Sequence, residues 1–305
     1  MFRRLNYKCH FCAFCDGNGC VAELPGMGGV FDNSNFQANV QGWQKIATQI
    51  NTDKPQKNSG TIPIRLAPIT GAIENVGYQD ERSFYFDLVM ASCSAGIPIS
   101  IGDGCPDEKL LSGIEAVKAA EKSFTGTKAA VFIKPYPDEK VLQRAEWAYE
   151  IAEIVGVDID SYNIVTMRNL VQLEKKTAQQ LKNLKKNLHV PFAIKGVFTK
   201  EDVELVEQVK PDIVVVSNHG GRIETERGST AEFLQKHGKR LHSCCGQVWV
   251  DGGIRTAKDV ATAALLGADE VMVGRPFITA LCRGGVKDVI KETEKLRYTE
   301  TGGYL

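Results

Sequence analysis

The segment Asp212–Arg222 reads Asp-Ile-Val-Val-Val-Ser-Asn-His-Gly-Gly-Arg, so a hydroxyl, a carboxamide, an imidazole and a guanidinium fall within six positions. His219 can take up or release a proton near neutral pH. Arg222, three residues on, can grip a carboxylate through two parallel hydrogen bonds. Gly220 and Gly221 between them allow a sharp turn and leave room for a flat ligand. Together these residue types suit proton transfer on an organic acid. The residues before them, Ile213–Val216, form an unbroken β-branched run, the pattern of a strand buried on both faces, as in a parallel sheet.

What must position such a turn is a repeating strand–helix scaffold. From Ile62 onward, apolar runs predict strands over 64–68, 97–101, 129–134, 154–160, 192–195, 213–217, 248–251 and 270–273. Segments of helical periodicity lie between them, among them 138–151, 170–184, 200–209 and 257–266. Eight such units without an evident linker, in a chain of 305 residues, predict a (β/α)8 TIM barrel over 61–305 with an N-terminal extension over 1–60. Barrel enzymes place their chemistry at the carboxyl ends of the strands. The reactive residue types fall there: Thr70, Asp103, Lys134, Asp158, Asp160, Lys195, His219, Asp251 and Arg275.

The last two units carry a phosphate-site pattern. Asp251-Gly252-Gly253-Ile254-Arg255 follows the seventh strand and Gly274-Arg275-Pro276 the eighth. Glycines expose backbone N–H groups, a helix is expected after each turn, and each turn supplies an arginine.

Composition excludes several classes. Lys plus Arg and Asp plus Glu both number 37, so no global field draws the chain to nucleic acid or a membrane surface. No apolar run approaches the roughly 20 residues that span a bilayer, and Met1–Cys12 lacks the apolar core of a secretory signal. Nine cysteines, an odd number, argue against a disulfide framework and for a reducing cytoplasm. Four of them, Cys9, Cys12, Cys15 and Cys20, have the spacing C-x2-C-x2-C-x4-C ahead of a glycine-rich stretch. Such closely spaced thiolates suit Zn or an iron–sulfur cluster, and free thiols in an N-terminal lid are the plain alternative. A short helical pattern around 43–50 and a polar loop over 51–60 complete the extension.

Ser217–Arg222, the Asp251–Arg255 turn, Val273-Gly-Arg-Pro-Phe277, Ile194-Lys-Gly196 and Leu66-Ala-Pro-Ile-Thr70 resemble, in order, the FMN-dependent α-hydroxy-acid oxidases and dehydrogenases, the family of glycolate oxidase, lactate oxidase and flavocytochrome b2. The resemblance covers about residues 62–285. It implies FMN across the barrel mouth, with Pro68, Ile69 and Thr70 under the ring and Gly102 nearby. Lys195 would face its N1–C2=O edge and Ser217 would hold the ring system. Asp251, Gly252, Gly253, Arg255, Gly274 and Arg275 would take the ribityl chain and phosphate. The resemblance also implies oxidation of an L-2-hydroxy acid, lactate- or glycolate-like, to the 2-oxo acid. His219 would then be the base, Asp160 its partner, Arg222 the carboxylate clamp, and Lys195 the stabiliser of reduced flavin. The electron acceptor (oxygen, quinone or protein) stays open, and a homo-oligomer is expected.

Departures concentrate on the substrate side. The family's tyrosine ahead of the barrel has no clear counterpart. Phe132 and Lys134 stand where the family has a glutamine and a tyrosine, and Gly102-Asp103-Gly104 replaces a serine-containing turn. Lys134 would suit a second acidic group on the substrate, or would pair with Asp103 or Asp158. Two other classes share parts of the pattern: a flavin-dependent isomerase of the type 2 isopentenyl diphosphate isomerase kind, and a non-enzymatic flavin- and metal-binding sensor.

Overall fold

A computed structural model of the chain describes residues 34–50, 62–76, 78–163, 170–223 and 226–298. Eight strands, β1 (Ile64–Leu66), β2 (Ile99–Gly102), β3 (Ala129–Ile133), β4 (Ala152–Asp158), β5 (Phe192–Val197), β6 (Ile213–Val216), β7 (Gln247–Asp251) and β8 (Glu270–Val273), pair in parallel in the order β1-β8-β7-β6-β5-β4-β3-β2. Leu66 N donates to Pro98 O and Arg65 Nη1 to Ile99 O, both at 2.9 Å, which brings β1 against β2 and closes the ring. Helices α2 (Glu81–Ser94), α3 (Glu108–Glu121), α4 (Asp138–Ala148), α5 (Ala178–Asn187), α6 (Lys200–Val209), α7 (Thr230–His242) and α8 (Ala257–Leu265) each join one strand to the next. After β8 come α9 (Arg275–Gly284) and α10 (Val286–Arg297), and ahead of β1 stands α1 (Ser34–Gln49). The expected (β/α)8 barrel is the observed fold.

The unbroken apolar runs have the predicted consequence: β6 is buried along its whole length. Its side chains alternate between two cores. Ile213 and Val215 face the barrel interior with Ala130, Phe132, Ala193, Trp249 and Met272, while Val214 and Val216 face the helices. At the amino-terminal floor an ion-paired plug replaces apolar packing. Arg65 lies 2.6 Å from both Glu270 and Glu153, with its guanidinium 4.7 Å above the Trp249 ring. Burial pushes the Glu270 carboxyl up, and Arg65 opposes it. Arg65→Met would leave Glu270 buried without its counter-charge, an arrangement that costs about 3–5 kcal/mol. Urea denaturation at neutral pH should show a loss of that size; an unchanged midpoint would mean that the plug contributes nothing.

Two helix boundaries differ from expectation. The segment expected as helix over 170–184 becomes helical only at Ala178, where Thr177 and Gln180 form a reciprocal capping box. Upstream, Glu174 N bonds Pro135 O, and the buried Lys176 ammonium sits 2.6 Å from both Asp138 and Glu174. Those contacts hold the chain outside a helix. The helical pattern expected around 43–50 belongs to the longer α1, which begins at Ser34. Its early turns carry buried Asn35 and Asn39, whose polarity conceals them from an apolar-periodicity reading. Cys9, Cys12, Cys15, Cys20 and the polar run 51–60 lie outside the described residues. Among the described residues no helix is long and apolar enough to cross a membrane.

Candidate active site

The carboxyl ends of β3 to β7 deliver a charged layer to the barrel mouth. Lys134 follows β3, Asp158 ends β4, Lys195 lies in β5, Ser217 follows β6 and Asp251 ends β7, and all five are buried. Asp158 occupies the centre: its Oδ1 accepts from Lys195 Nζ at 3.0 Å and its Oδ2 from Lys134 Nζ at 2.8 Å. Lys195 also reaches Ser217 Oγ at 3.3 Å and lies 3.6 Å from Asp251 Oδ2. Burial works against the Lys195 charge, but Asp158, then Asp251 and Asp160, outweigh it and hold the ammonium above its ordinary range. Burial also opposes the Asp158 charge, yet Lys134, Lys195 and His219 together keep that carboxyl well below the usual carboxylate range. Both groups are therefore ionised at neutral pH.

His219 stands just above this layer. Its Nδ1 is 3.1 Å from both oxygens of Asp160, and its Nε2 is 3.5 Å from Asp158 Oδ2. The backbone at His219 is left-handed (φ 58°), uncommon for a residue with a side chain, and its N–H donates to Ser217 Oγ at 3.1 Å. Asn218 fastens the turn from outside: its side-chain oxygen accepts from Gly221 N at 2.9 Å and from Asn39 Nδ2 at 2.8 Å. Gly196 makes room for the partner carboxylate. At φ 93°, a Cβ there would lie 2.5 Å from Asp160, so only glycine lets Asp160 cross β5 toward His219.

Beside His219 a cleft opens toward β7 and β8. Pro68, Ile69 and Thr70 form one side, and Lys195, His219 and Arg222 another. Asp251, Gly252, Gly253 and Arg255 line it after β7, and Gly274 and Arg275 after β8. Gly102 lies behind Thr70, where a Cβ would meet the Thr70 methyl at 2.9 Å. Of the remaining candidates, Ser217, Asp160 and Lys134 stand behind Lys195 and His219 rather than in the cleft wall. The alternatives for Lys134 resolve structurally: its ammonium pairs with Asp158, while its backbone N–H reaches Asp103 at 3.3 Å. Asp103 pairs instead with buried Arg144 at 3.0 Å, and burial raises its carboxyl to about 6 against that pairing.

Several participants were not legible from motifs. Helix α1 packs on the β6, β7 and β8 turns. Asn35 Nδ2 donates to Ile223 O at 2.7 Å, Asn39 Oδ1 accepts from Thr230 N at 3.0 Å, and Trp43 Nε1 donates to Gly252 O at 2.7 Å. The Phe36 ring lies 4.5 Å from the Arg275 guanidinium and 5.6 Å from that of Arg255. The signal available in the sequence was weak: Asn35, Asn39 and Trp43 at four-residue spacing place three hydrogen-bonding groups on one helix face.

The cleft suits a flat, phosphate-bearing ligand with hydroxyl groups. Asp251 Oδ1 is buried without a hydrogen-bond partner in a wall residue, an acceptor placed for a hydroxyl donor. At Gly253 (φ 84°) a Cβ would collide with the Asn39 backbone at 2.4 Å, so glycine there lets α1 pack directly on the turn that lines the cleft. Gly274 caps α9, whose first residue is Arg275, so helix N–H groups line the cleft after β8, and the Arg275 guanidinium donates to Gly220 O at 3.0 Å.

The sequence model of the FMN-dependent dehydrogenase family matches residues 121–299, more than half of the chain. The chain belongs to that family, whose cofactor is FMN. A 2-hydroxyacid oxidase of Dictyostelium discoideum is 39% identical over 115 residues, covering 38% of this chain and 29% of its own length. 2-Hydroxyacid oxidase 2 of Rattus norvegicus is 39% identical over 104 residues, 33% of this chain and 29% of that protein. L-lactate dehydrogenase (cytochrome) of Saccharomyces cerevisiae is 38% identical over 125 residues, 40% and 21% of the two chains. The aligned segments thus span less than a third of these relatives. Among solved structures, a mandelate oxidase mutant with the monooxide FMN adduct superposes with a TM-score of 0.66 at 22% identity, covering 89% of this chain and 86% of that one. Mandelate oxidase with (S)-2-phenylpropionate gives 0.64 at 20%, covering 89% and 84%. At these identities the superpositions establish the shared barrel.

Proposed function

We propose that the protein oxidises an L-2-hydroxy acid to the 2-oxo acid with bound FMN. The observation that carries this reading is the His219–Asp160 pair at 3.1 Å beside a cleft walled by Lys195, Arg222, Arg255 and Arg275. FMN would lie in that cleft, with Arg255, Arg275 and the α9 amino terminus at its phosphate and Asp251 at a ribityl hydroxyl. When bound, it supplies the two-electron acceptor that no side chain offers. A carboxylate at Nδ1 orients the ring, and Nε2 would be the atom that takes the hydroxyl proton. Asp160 then stabilises the resulting imidazolium. Arg222 would orient the substrate carboxylate beside His219, and the Lys195 ammonium would favour the extra negative charge of reduced flavin.

Of the alternatives for Lys134, its 2.8 Å contact supports the pairing with Asp158 over a second acidic group on the substrate, which leaves Arg222 and His219 as the proposed substrate contacts. A lactate- or glycolate-like acid needs no more than these. The isomerase reading gains nothing from a carboxylate–imidazole pair placed next to an arginine. A metal site at Cys9, Cys12, Cys15 and Cys20, either Zn or an iron–sulfur cluster, is retained as a proposal from their spacing alone, as are a cytoplasmic location and a homo-oligomer.

A dye-linked assay tests the activity: L-lactate, glycolate and longer 2-hydroxy acids are supplied with an artificial acceptor, and the 2-oxo acid is trapped. Stereoselective formation of the 2-oxo acid supports the reading, and none with any acid on flavin-loaded protein would sink it. The cofactor assignment has its own check. Arg275→Gln removes a charge-assisted phosphate contact worth about 1.5–3 kcal/mol, so FMN should bind roughly 10- to 100-fold more weakly by fluorescence titration. Unchanged affinity would place the phosphate elsewhere.

A further inference from the structure

Asp158 has no role in the chemistry outlined above, yet it is the most heavily engaged carboxylate at the barrel mouth. Its two oxygens each hold a lysine, Lys195 at 3.0 Å and Lys134 at 2.8 Å, and Oδ2 also faces His219 Nε2 at 3.5 Å. Lys195 lines the cleft, whereas Asp158 and Lys134 stand behind it. Asp251 Oδ2 adds a second carboxylate 3.6 Å from the same ammonium. The positive charge that Lys195 presents to a ligand is therefore discounted by two anions, and Lys134 offsets part of one of them.

We propose that Asp158 and Lys134 form a charge-setting pair behind Lys195 that fixes the reduction potential of the bound flavin, Asp158 lowering it and Lys134 raising it. This rests on the flavin reading above. Oxidised flavin takes up two electrons and one proton, so the reduced ring carries one more negative charge than the oxidised ring. A fixed carboxylate nearby disfavours that change and a fixed ammonium favours it, and in a buried layer the effect is weakly screened. Neither residue needs to touch the flavin, because both act through Lys195. They are positioning residues.

The test measures midpoint potentials of the FMN-loaded full chain by dye equilibration during slow enzymatic reduction, with no 2-hydroxy acid present. Asp158→Asn should raise the potential and Lys134→Met should lower it. Each change should correspond to about a tenfold shift in the preference for reduced over oxidised flavin, about 30 mV for a two-electron couple. The double variant should fall between the two, near the parent. A merely structural pair would move both single variants in one direction or neither. Equal potentials in all four proteins, or shifts of the same sign, would overturn the proposal. Should Asp158→Asn fail to hold FMN, Lys134→Met decides alone: a fall supports the pair, and a rise or no change overturns it. A parent chain that binds no FMN would instead refute the flavin reading itself.

Discussion

Replacing His219 by Ala is expected to slow reduction of the bound flavin by a 2-hydroxy acid about 100- to 10,000-fold, the range for loss of a general base. The size follows from how completely the imidazole is prepared. Asp160 holds Nδ1 at 3.1 Å through both oxygens, the backbone is held left-handed at φ 58°, and the Asn218 and Ser217 side chains pin the turn. No other described histidine lines the cleft. Water entering the space left by the ring cannot reproduce an oriented acceptor backed by a carboxylate. Anaerobic rapid mixing reads the step directly, and the flavin should remain bound because the phosphate end is untouched. Reduction within a few-fold of the parent rate would remove His219 from the mechanism.

Arg222→Met should chiefly weaken substrate binding. Truncating one partner of a buried, hydrogen-bonded charge pair costs about 2–5 kcal/mol, so KM should rise roughly 30- to 5,000-fold with a smaller change in kcat. Burial works against the Arg222 charge, and an anion bound in the cleft it lines would offset that cost. The effect must depend on substrate charge: the neutral amide of the best 2-hydroxy acid should lose little on the substitution. Equal losses for acid and amide would mean that Arg222 supports the loop rather than the carboxylate.

These assignments were largely legible because strand ends collect the chemistry. The Ile213–Val216 run is apolar on both faces, so it could only be a buried strand, and the polar residues after it had to lie at the mouth. The glycine–arginine turns after β7 and β8 were readable for the same reason. Helix α1 was less visible, since its docking uses Asn35 and Asn39 to satisfy turn backbone rather than an apolar stripe. The start of α5 was misjudged because the Lys176 ion pairs and the Thr177 cap override the helical propensity upstream. Of the Asp158 network, the sequence offers the Lys134 pairing as one alternative, and the contacts with Lys195 and His219 are not legible in it. Lys134, Asp158 and Lys195 sit on three successive strands, and only the strand register brings their side chains to one level.

The proposed reaction moves two electrons from a 2-hydroxy acid to FMN at this mouth, with His219 taking the hydroxyl proton. Anaerobic titration of the FMN-loaded chain with L-2-hydroxy acids, following the flavin absorbance and the acid products together, tests it most directly. At least one L-acid should bleach the flavin fully with one 2-oxo acid formed per flavin reduced, and the His219→Ala protein should not bleach on the same timescale. A flavin that stays oxidised with every acid offered, or bleaches without 2-oxo acid appearing, would contradict it.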